Sequence, residues 1–588
     1  MTDHYILQNF VFPDETLADR VALYARWVAG PSRLADTRGV LPIAPGTTID
    51  LATFFNAFSH RKWHALTGLG DLAVRLRGEG TVEVTVHALT ETAAAAVVCR
   101  QTVVLGDGEV LLPLPGPASL PGTILALEVR NDTSTEARLL SVAWVTAQAP
   151  LRPVRLAGVI TTFKREAAAR EAMRRFSEVT IPRFPQGELH LYVIDNGQTL
   201  DLVDTGTVTL LHNPNLGGAG GFARGLMEAR KAGHYTHVLF MDDDASCEPE
   251  SVWRTVALLA RCKDERAGVA GAMLYVDRPT IQFEKGAVMR VDAGSGPFWR
   301  ALNHLRDLSD AAVVADNDGP DEANYGAWWY FAFPLAAVRH MPFPFFVRGD
   351  DTDFSLSNDL PVVTLNGVAT WCDNFGYKLT PPTHYLAWRS WWALALMHGE
   401  VSTARHGLWR AMAAALDLAM RFDYAGAMAV LDGLEDAAQG PRFFGENPAP
   451  FASLAKVKGR DAVRAASPEE FESLARISYT KYKLKRLLGL VSVGGLLIPD
   501  LLLHPRLPHA RIGWEAGRWN LLRARAFVSG AGAQLNVHVR DRRKLLAVLC
   551  RMLKVHWRLT RLSRSLIELY RTEGKHLRTS EFWQAKLY

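Results

Sequence analysis

The stretch THVLFMDDDA, Thr236–Ala245, decides the fold class of this chain. It is an apolar, strand-type run that ends in three carboxylates, Asp242, Asp243 and Asp244. A continuous apolar run of this length is typical of a strand that is covered on both faces, as in a parallel sheet. Polar residues at the carboxyl end of such a strand lie where α/β folds bind their ligands.

The segments around this strand alternate between strand-type and helix-type patterns. The strand-type segments are VRLAGVITTF (154–163), LHLYVIDNG (189–197) and VTLLHN (208–213), and the helix-type segments are KREAAAREAMRRF (164–176) and GGFARGLMEARKAG (220–233). This alternation predicts an α/β layer with a largely parallel sheet.

The flanking regions have different patterns, which predict three domains with boundaries 1–150, 151–395 and 396–588. TVEVTVHA (81–88) alternates strictly and belongs to a series of short, regularly spaced strands, so an N-terminal β-sandwich is expected. ARHGLWRAMAAALDLAMRF (404–422) has helical periodicity, so the third domain is expected to be helical.

Composition gives no support for nucleic-acid binding or secretion. The net charge is only +5 over 588 residues, and the five scattered cysteines include no CxxC pair, which favours a reducing compartment. The N-terminus lacks a signal-peptide pattern. The apolar run Leu487–Ile498 is shorter than the roughly 20 residues of a spanning helix. We expect a cytoplasmic protein.

The segment 540–577 interleaves Arg and Lys with large apolar residues. One interpretation is a solvated helical face. The other is peripheral attachment to the anionic cytoplasmic face of the membrane.

The acidic triplet carries the strongest chemical signal. If the strand continues through it, alternation points Asp242 and Asp244 to the same side, where both can hold a divalent cation that also binds a diphosphate. Oxygen ligands suit Mg²⁺ or Mn²⁺. The alternative is an acidic helix N-cap cluster.

Upstream, the glycine-rich segment NPNLGGAGGFARG (213–225) would allow a ligand close to the backbone at a helix N-terminus, although a simple turn has the same composition.

Two further segments suggest an acceptor site. PFFVRGDDTDFSLS (344–357) places Asp350, Asp351 and Asp353 after an expected aromatic strand, and a carboxylate there could deprotonate an acceptor hydroxyl. NYGAWWYFAFP (324–334) offers Trp328 and Trp329, whose faces can stack on sugar rings. A helix-cap cluster and an aromatic core are the alternative interpretations.

In this order and spacing, the motifs TFKR, VIDNG, NLGGAGGFAR, FMDDDA, GAWW, FVRGDDTDF and GVATWC resemble the cytoplasmic galactofuranosyltransferases that build mycobacterial cell-wall galactan. The resemblance implies an N-terminal β-sandwich, a glycosyltransferase domain of the GT-A type and a helical C-terminal region. It implies a UDP-sugar donor, UDP-galactofuranose by this likeness alone, and a glycan or lipid-linked glycan acceptor. It also implies a homo-oligomer.

The resemblance further implies roles for single residues. The donor would be bound by Arg165, Asn196, Asn215 and Asp242. The metal would be bound by Asp242 and Asp244. Asp351 would be the catalytic base beside Asp350, and Trp329, with Trp328, would hold the acceptor.

Two departures from the family pattern leave roles open. The family has a Trp-His pair whose histidine ligates the metal, but this chain reads ATWCDNF (369–375), so Cys372, Asp373 or His384 are alternatives for that ligand. An acidic acceptor contact of the family falls at Ala287, and Glu284 lies close enough in sequence to replace it.

The pattern therefore predicts an inverting, metal-dependent transfer in which the acceptor hydroxyl itself attacks the donor. Two rival functions remain. A nucleotidyltransferase would release pyrophosphate from a nucleoside triphosphate, and a catalytically degenerate glycan-binding or scaffolding protein would transfer nothing.

Overall fold

The computed structural model describes residues 4–35, 39–90, 95–290, 299–460, 464–465, 492, 495–503, 509–510, 525–531 and 534–588. The apolar run Leu487–Ile498 lies mostly outside the described residues. Among the helices that the structure describes, none is long and apolar enough to cross a membrane.

The N-terminal region is an antiparallel β-sandwich with one short helix. Its elements are β1 (Tyr5–Asn9), β2 (Arg26–Ala29), β3 (Leu41–Ile43), β4 (Thr48–Asp50), α1 (His60–Thr67), β5 (Leu72–Leu89), β6 (Ala95–Leu105), β7 (Val110–Leu114), β8 (Ile124–Arg130) and β9 (Ala137–Thr146).

Strand β5 connects the two layers of the sandwich. Its first half pairs with β7 and β9, and its second half pairs with β6 and β8. The change of partners occurs at Gly78 and Gly80, next to a register shift, and Gly80 has a φ of +90°. Glycine permits this left-handed conformation, and a bulge at a corner lets one strand serve two layers. The expected sandwich is confirmed.

The central region is an α/β domain. Its strands are β10 (Leu156–Thr162), β11 (Leu189–Asp195), β12 (Val203–Asp204), β13 (Val208–His212), β14 (His237–Asp242), β15 (Ser246–Cys247), β16 (Gly268–Tyr275), β17 (Ile281–Glu284), β18 (Ala287–Met289), β19 (Trp299–Ala301), β20 (Arg306–Asp307), β21 (Phe331–Pro334) and β22 (Val362–Cys372). Its helices are α2 (Glu166–Arg175), α3 (Gly217–Ala232), α4 (Pro249–Leu259), α5 (Ala311–Asp316) and α6 (Asp350–Asn358).

The main sheet of this domain is half parallel and half mixed. Strands β13, β11, β10 and β14 are parallel neighbours, as the strand–helix alternation predicts. Beyond β14, strand β21 runs antiparallel to both β14 and β16. Strand β22 is parallel to β16, whereas β17 is antiparallel to it. The prediction of a largely parallel sheet is therefore correct for β13, β11, β10 and β14 and for the pair β16 and β22, and the antiparallel strands β21 and β17 make the second half mixed.

The C-terminal region is mainly helical. Its elements are α7 (Pro381–His398), α8 (Val401–Met420), α9 (Tyr424–Ala437), α10 (Pro441–Glu446), α11 (Phe451–Lys458), β23 (Arg464–Ala465), β24 (His509–Ala510), β25 (Ala526–Ala531), β26 (Gln534–Val539), α12 (Arg542–Glu573) and α13 (Ser580–Leu587). Helices α7, α8, α9 and α12 pack on one another. The small sheet β23–β26–β25–β24 was not expected from the sequence.

Buried polar contacts fix the sandwich to the α/β domain. The side chain and backbone N–H groups of Asn9 donate to Glu250 at 3.0 and 2.7 Å. Ser59 Oγ donates to Asp318 Oδ1 at 2.7 Å, and Lys62 Nζ donates to Asp321 Oδ1 at 2.8 Å. The sandwich therefore supports the strands behind the site.

Candidate active site

The candidate site begins at the carboxyl ends of the parallel strands. Thr161 of β10 lies beside Asp242 of β14, and Thr162 lies beside Asp195 of β11. These registers bring the residues that follow each strand to one edge of the sheet, which is where a doubly wound α/β fold binds its ligand.

The acidic triplet does not alternate as a strand would. Strand β14 ends at Asp242, and Asp243 and Asp244 form a turn. Arg165 Nη1 lies 2.9 Å from Asp243 Oδ1 and 2.9 Å from Asp244 Oδ2. Thr162 Oγ1 donates to Asp243 Oδ2 at 2.7 Å. Strand alternation therefore does not apply to Asp242 and Asp244, because the strand stops between them, and their shared metal-binding role stays a prediction.

A cavity of about 1050 Å³ opens at this edge. It joins carboxylates and aromatic rings from distant parts of the chain: Asp242, Glu284, Trp328, Trp329, Asp350 and Asp351. Asp244 is not among the described lining residues. The structure thus brings Asp242 and Asp351 to one cavity and leaves Asp244 on the Arg165 side of the triplet.

Helix α6 carries the two candidate catalytic carboxylates in its first turn. The preceding segment is irregular rather than an aromatic strand, since Pro342 and Pro344 interrupt it and Gly349 has a φ of +88°. Asp351 Oδ1 accepts from the Thr352 N–H at 2.7 Å. Negative charge in the first turn is stabilised by the helix dipole. Residues 342–349 form no strand, so the predicted strand before Asp350 is wrong. The position of Asp350 and Asp351 at the start of a helix is one where the helix dipole stabilises their negative charge.

Burial sets the protonation of these acids. It raises the pKa of Asp350 well above its usual value, and the neighbouring Asp351 charge raises it further. Burial also raises the pKa of Asp351, against the opposing effects of its Thr352 hydrogen bonds and of Arg348. A carboxylate with a raised pKa is a stronger base near neutral pH.

Glu284 is a third buried acid in the same cavity. It is 1% exposed, and its Oε2 has no hydrogen-bond partner among the described residues. Burial and the nearby charge of Asp351 raise the pKa of Glu284 well above its usual value. A carboxyl group that stays neutral can donate a hydrogen bond to a substrate oxygen.

The two tryptophans are largely buried but still line the cavity. Trp328 is 5% exposed and packs edge-on against Phe222 and Phe240, with ring centroids 4.8 and 5.1 Å away. Its indole N–H has no partner among the described residues. Trp329 donates its indole N–H to the Gly271 carbonyl at 2.9 Å. Trp328 therefore retains a polar group that a ligand could satisfy.

The asparagines predicted to bind the donor are used to build the glycine loop. Asn196 Nδ2 donates to Thr161 Oγ1 at 3.1 Å and to the Gly217 carbonyl at 3.0 Å. Asn215 Oδ1 accepts from the Gly217 N–H at 3.2 Å. Their donor-binding role stays a prediction.

The glycines of this loop mainly permit close packing within the protein. A Cβ on Gly217, whose φ is +71°, would lie 2.1 Å from the Phe346 carbonyl oxygen, and one on Gly221 would lie 2.0 Å from Thr161 Oγ1. Of the loop's glycines, Gly218 alone is among the described cavity-lining residues, together with Phe222 of the same segment. At Gly217 and Gly221, therefore, it is other parts of the chain, rather than a ligand, that approach the glycine backbone closely.

The chemistry of this edge fits a divalent cation. Carboxylate oxygens suit Mg²⁺ and Mn²⁺, and Mg²⁺ is commonly held by one or two carboxylates together with substrate phosphates. Within the described ranges, no group of three His, Cys, Asp or Glu side chains is arranged to hold a metal. A cation held by Asp242 and a neighbouring carboxylate would take its other ligands from a diphosphate and water.

The three alternatives for a further ligand lie in different surroundings. Cys372 is buried in the sheet core, with Sγ 3.7 Å from Thr370 Oγ1. Burial lowers the pKa of His384, whose charged neighbours are Asp423, Arg421 and Arg348. Asp373 is exposed, and its charge acts on Arg165, which holds Asp243 and Asp244. Asp373 thus has an electrostatic interaction with Arg165, the partner of the acidic triplet.

Asp353 has a structural role rather than a catalytic one. Arg578 Nε donates to Asp353 Oδ2 at 2.9 Å, and His398 Nε2 lies 2.7 Å from Oδ1. Burial opposes ionisation, but Arg578 and His398 hold the pKa of Asp353 below its usual value. This carboxylate fixes α6 to the C-terminal region.

Several cavity residues were missed by the sequence reasoning: Trp299, Tyr325, Arg348, Trp388 and Trp391. Arg348 directly precedes Gly349–Asp350, so its position next to the acidic motif was an available signal. The two later tryptophans lie in α7, which is apolar around much of its surface and gives no distinguishing pattern.

The α/β sheet and the segments at its carboxyl edge are similar in sequence to known glycosyltransferases. Residues 153–316 match the family model described as glycosyltransferase like family 2. The resemblance to galactofuranosyltransferases is confirmed by two relatives named galactofuranosyltransferase GlfT2. The Mycolicibacterium smegmatis protein is 27% identical over 370 residues, covering 57% of this chain and 55% of the relative. The Mycobacterium tuberculosis protein is 28% identical over 370 residues, covering 57% and 56%.

The chain thus spans about half the length of the curated relatives it matches. Among solved structures, Staphylococcus aureus TarS residues 1–349 show 12% identity and a TM-score of 0.31, covering 52% of this chain and 88% of that one.

Proposed function

We propose that this protein is an inverting, metal-dependent glycosyltransferase that transfers galactofuranose from UDP-galactofuranose to a glycan or glycolipid acceptor in cell-envelope polysaccharide synthesis. The observation that carries the proposal is the shared cavity of Asp242, at the end of a central parallel strand, and Asp351, at the start of α6. The donor sugar and the pathway rest on the likeness to the two GlfT2 proteins.

Each residue has a role in the proposed reaction. Asp242 and an adjacent carboxylate hold the cation, which offsets the charge that develops on the leaving diphosphate. Asp351 removes the proton from the attacking acceptor hydroxyl. Burial raises the pKa of Asp350 and of Glu284 and so favours their neutral forms, which keep the charge near Asp351 low and can hydrogen-bond acceptor oxygens. Trp328 and Trp329 form one wall of the acceptor site.

We also propose that the protein attaches peripherally to the cytoplasmic face of an anionic membrane through α12. The exposed face of this helix combines Leu546, Leu553 and Trp557, which are 53%, 73% and 60% exposed. Arg561 stacks over Trp557 at 3.7 Å, with Lys554 on the same surface. Exposed apolar side chains beside basic ones match an anionic lipid interface. Homo-oligomerisation is a separate prediction, which sedimentation velocity can measure.

A nucleotide-sugar screen tests the proposed reaction. Purified protein is incubated with Mn²⁺ and single UDP-sugars, UDP-galactofuranose among them, with an octyl galactofuranoside as acceptor. Metal-dependent transfer from UDP-galactofuranose supports the proposal. Pyrophosphate release from a nucleoside triphosphate would instead indicate a nucleotidyltransferase. Acceptor binding without transfer or donor hydrolysis would indicate a degenerate, glycan-binding protein.

A further inference from the structure

A buried polar network lies between the sandwich and the strand that carries Glu284. Its central residue is Lys285, whose side chain is 1% exposed. Lys285 Nζ donates to the Asn317 carbonyl at 2.6 Å and to Asn366 Oδ1 at 3.3 Å. It also lies 3.7 Å from Asp318 Oδ1. All of these partners are buried, and the proposed reaction gives the network no role.

The sandwich contacts the other side of this network. Ser59, the residue before α1, donates through Oγ to Asp318 Oδ1 at 2.7 Å. This is the same oxygen that lies 3.7 Å from Lys285 Nζ. Lys62 of α1 donates to the Thr364 carbonyl of β22 at 2.9 Å. A continuous set of buried polar contacts therefore runs from the sandwich to the end of β17.

A bulge in β17 separates the network from the cavity. The register against β16 shifts between Gln282 and Glu284, which makes Phe283 an extra residue, and bulges near active sites re-aim side chains. Phe283 and Glu284 line the cavity, whereas Gln282 and Lys285 are not among the described lining residues. Gln282 instead exchanges two side-chain hydrogen bonds with Asn317, at 2.9 and 3.1 Å. The residues on either side of the cavity-lining pair are thus held by the network.

The position of Glu284 affects the proposed base, Asp351. Burial, and after it the charge of Asp351, raises the pKa of Glu284 well above its usual value. Burial and the charges of both acids likewise raise the pKa of Tyr325, another residue of the cavity. Because Oε2 of Glu284 has no hydrogen-bond partner among the described residues, that oxygen does not hold the side chain, and the backbone of β17 has to place it.

Lys285 is a costly residue to bury. Burial, followed by the nearby charge of Lys62, lowers the pKa of Lys285 to about 7, although Asp318 favours the charged form. Replacing a buried ionic group by an apolar one of similar volume is often neutral or stabilising. Stability alone therefore gives no reason for a lysine at this position, whereas the geometry that it fixes does.

We propose that Lys285 is a positioning residue through which the N-terminal sandwich holds Glu284 in the cavity. Lys285 fixes the backbone at the end of β17, and this backbone places the Glu284 carboxyl group beside Asp351. The inference rests on the proposed transferase function and deepens it, because it makes the sandwich part of the structure that sets the surroundings of the base.

Stability measurements test the positioning without any substrate. At pH 8, Glu284→Gln should raise the melting temperature, because glutamine removes a buried carboxyl group that resists ionisation. In a Lys285→Met background this gain should disappear, since a Glu284 side chain that is no longer held reaches water. Ser59→Ala cuts the link from the sandwich and should reduce the gain. Asn9→Ala is the matched control, because it removes a contact between the same two regions at Glu250 and should leave the gain intact.

Each outcome of these melts decides the proposal. An unchanged gain in the Lys285→Met background overturns it. So does the absence of any gain in the wild-type background, since Glu284 is then not held away from water. If Lys285→Met does not fold, Ser59→Ala decides: a reduced gain supports the proposal, and a gain equal to that in Asn9→Ala overturns it.

Steady-state kinetics show whether the positioning matters for the proposed reaction. Lys285→Met should lower kcat about tenfold, as expected when one hydrogen-bonding group beside the base is displaced, and should leave KM for UDP-galactofuranose unchanged. In a Glu284→Gln background the same substitution should cause a smaller loss, because the two residues act as one unit. An equal fall in kcat for Asn9→Ala overturns the proposal.

The melts also separate this inference from the proposed function. If the protein transfers no UDP-sugar, the dependence of the Glu284→Gln gain on Lys285 still supports or overturns the positioning role. If transfer occurs and the gain does not depend on Lys285, the positioning role fails while the proposed transferase function stands.

Discussion

Arg578 donates through Nε to Oδ2 of Asp353 at 2.9 Å, and both side chains are buried. This contact links the C-terminal end of the chain to α6, whose first turn carries Asp350 and Asp351. Trp583 strengthens the link by donating its indole N–H to the Pro342 carbonyl at 2.8 Å. The position of the proposed catalytic base therefore depends on residues far along the chain.

Arg578→Ala should destabilise the protein by about 3–5 kcal/mol, because it leaves the Asp353 carboxylate buried without its main cationic partner. Chemical denaturation measures the free energy of unfolding. Arg571→Ala is the control, since Arg571 pairs with Glu400 at the surface and its loss should have little effect. Equal losses in both variants would contradict the structural role of Asp353.

Asp351→Asn should lower kcat by about 10²–10⁴-fold, because the amide cannot accept the proton of the acceptor hydroxyl. Affinity for the nucleotide should change little, because the proposed nucleotide contacts are Arg165, Asn196, Asn215 and Asp242 rather than Asp351. Steady-state kinetics and UDP titration measure the two quantities. Near-normal turnover would reassign the base, with Asp350 as the next candidate.

The sequence was sufficient for the local elements of the catalytic domain. Strands β10, β11, β13 and β14 are long apolar runs, and α8 has clear helical periodicity, so each was predictable from a short window. The meeting of Asp242 with Asp351 was predicted from family likeness, because no local pattern reports a contact between residues so far apart in sequence.

Two features of the site were not predicted from the sequence, and each has a physical reason. The alternation argument for Asp244 assumed that the strand continues, but the strand ends at Asp242, and the distant Arg165 pairs with both Asp243 and Asp244. The place of Trp388 and Trp391 in the cavity could not be predicted, because α7 is apolar on nearly every side and periodicity does not distinguish these two residues from the core. Neither feature is encoded within a window of a few residues.

Glu284→Gln should stabilise the protein at neutral pH. The raised pKa of Glu284 means that the folded state keeps its proton while the unfolded state releases it above about pH 4.3. Wild-type stability is therefore lost as pH rises from that value towards the folded-state pKa, and glutamine removes the loss. Melts at pH 4 and pH 8 measure this: the variant's advantage should appear only at the higher pH. An equal advantage at both values would exclude ionisation as the cause.

Asp373→Ala should weaken Mn²⁺-dependent UDP binding more than Cys372→Ser or His384→Ala does. A hard cation prefers a carboxylate to a thiol, and of these three residues Asp373 is the one whose charge reaches the partner of the acidic triplet. Calorimetric titration of UDP with and without Mn²⁺ measures the effect, and Asp242→Asn provides the reference for a lost ligand. If Cys372→Ser gives the largest loss, the substituted position itself has kept the ligand role.

The α12 surface predicts salt-sensitive binding to vesicles that contain phosphatidylglycerol. The double variant Leu553→Glu with Trp557→Glu should reduce binding at least about tenfold, since it removes apolar area and adds repulsion from the anionic lipid. Val104→Glu is the control, because Val104 is 73% exposed on the sandwich, far from α12 in sequence and in domain. Co-sedimentation at rising ionic strength separates the electrostatic from the apolar contribution to binding. The electrostatic contribution of Lys554, Arg561 and their neighbours should weaken as the Debye length shortens. The apolar contribution of Leu553 and Trp557 should persist. Equal binding of both variants at every salt concentration would exclude α12 as the attachment surface.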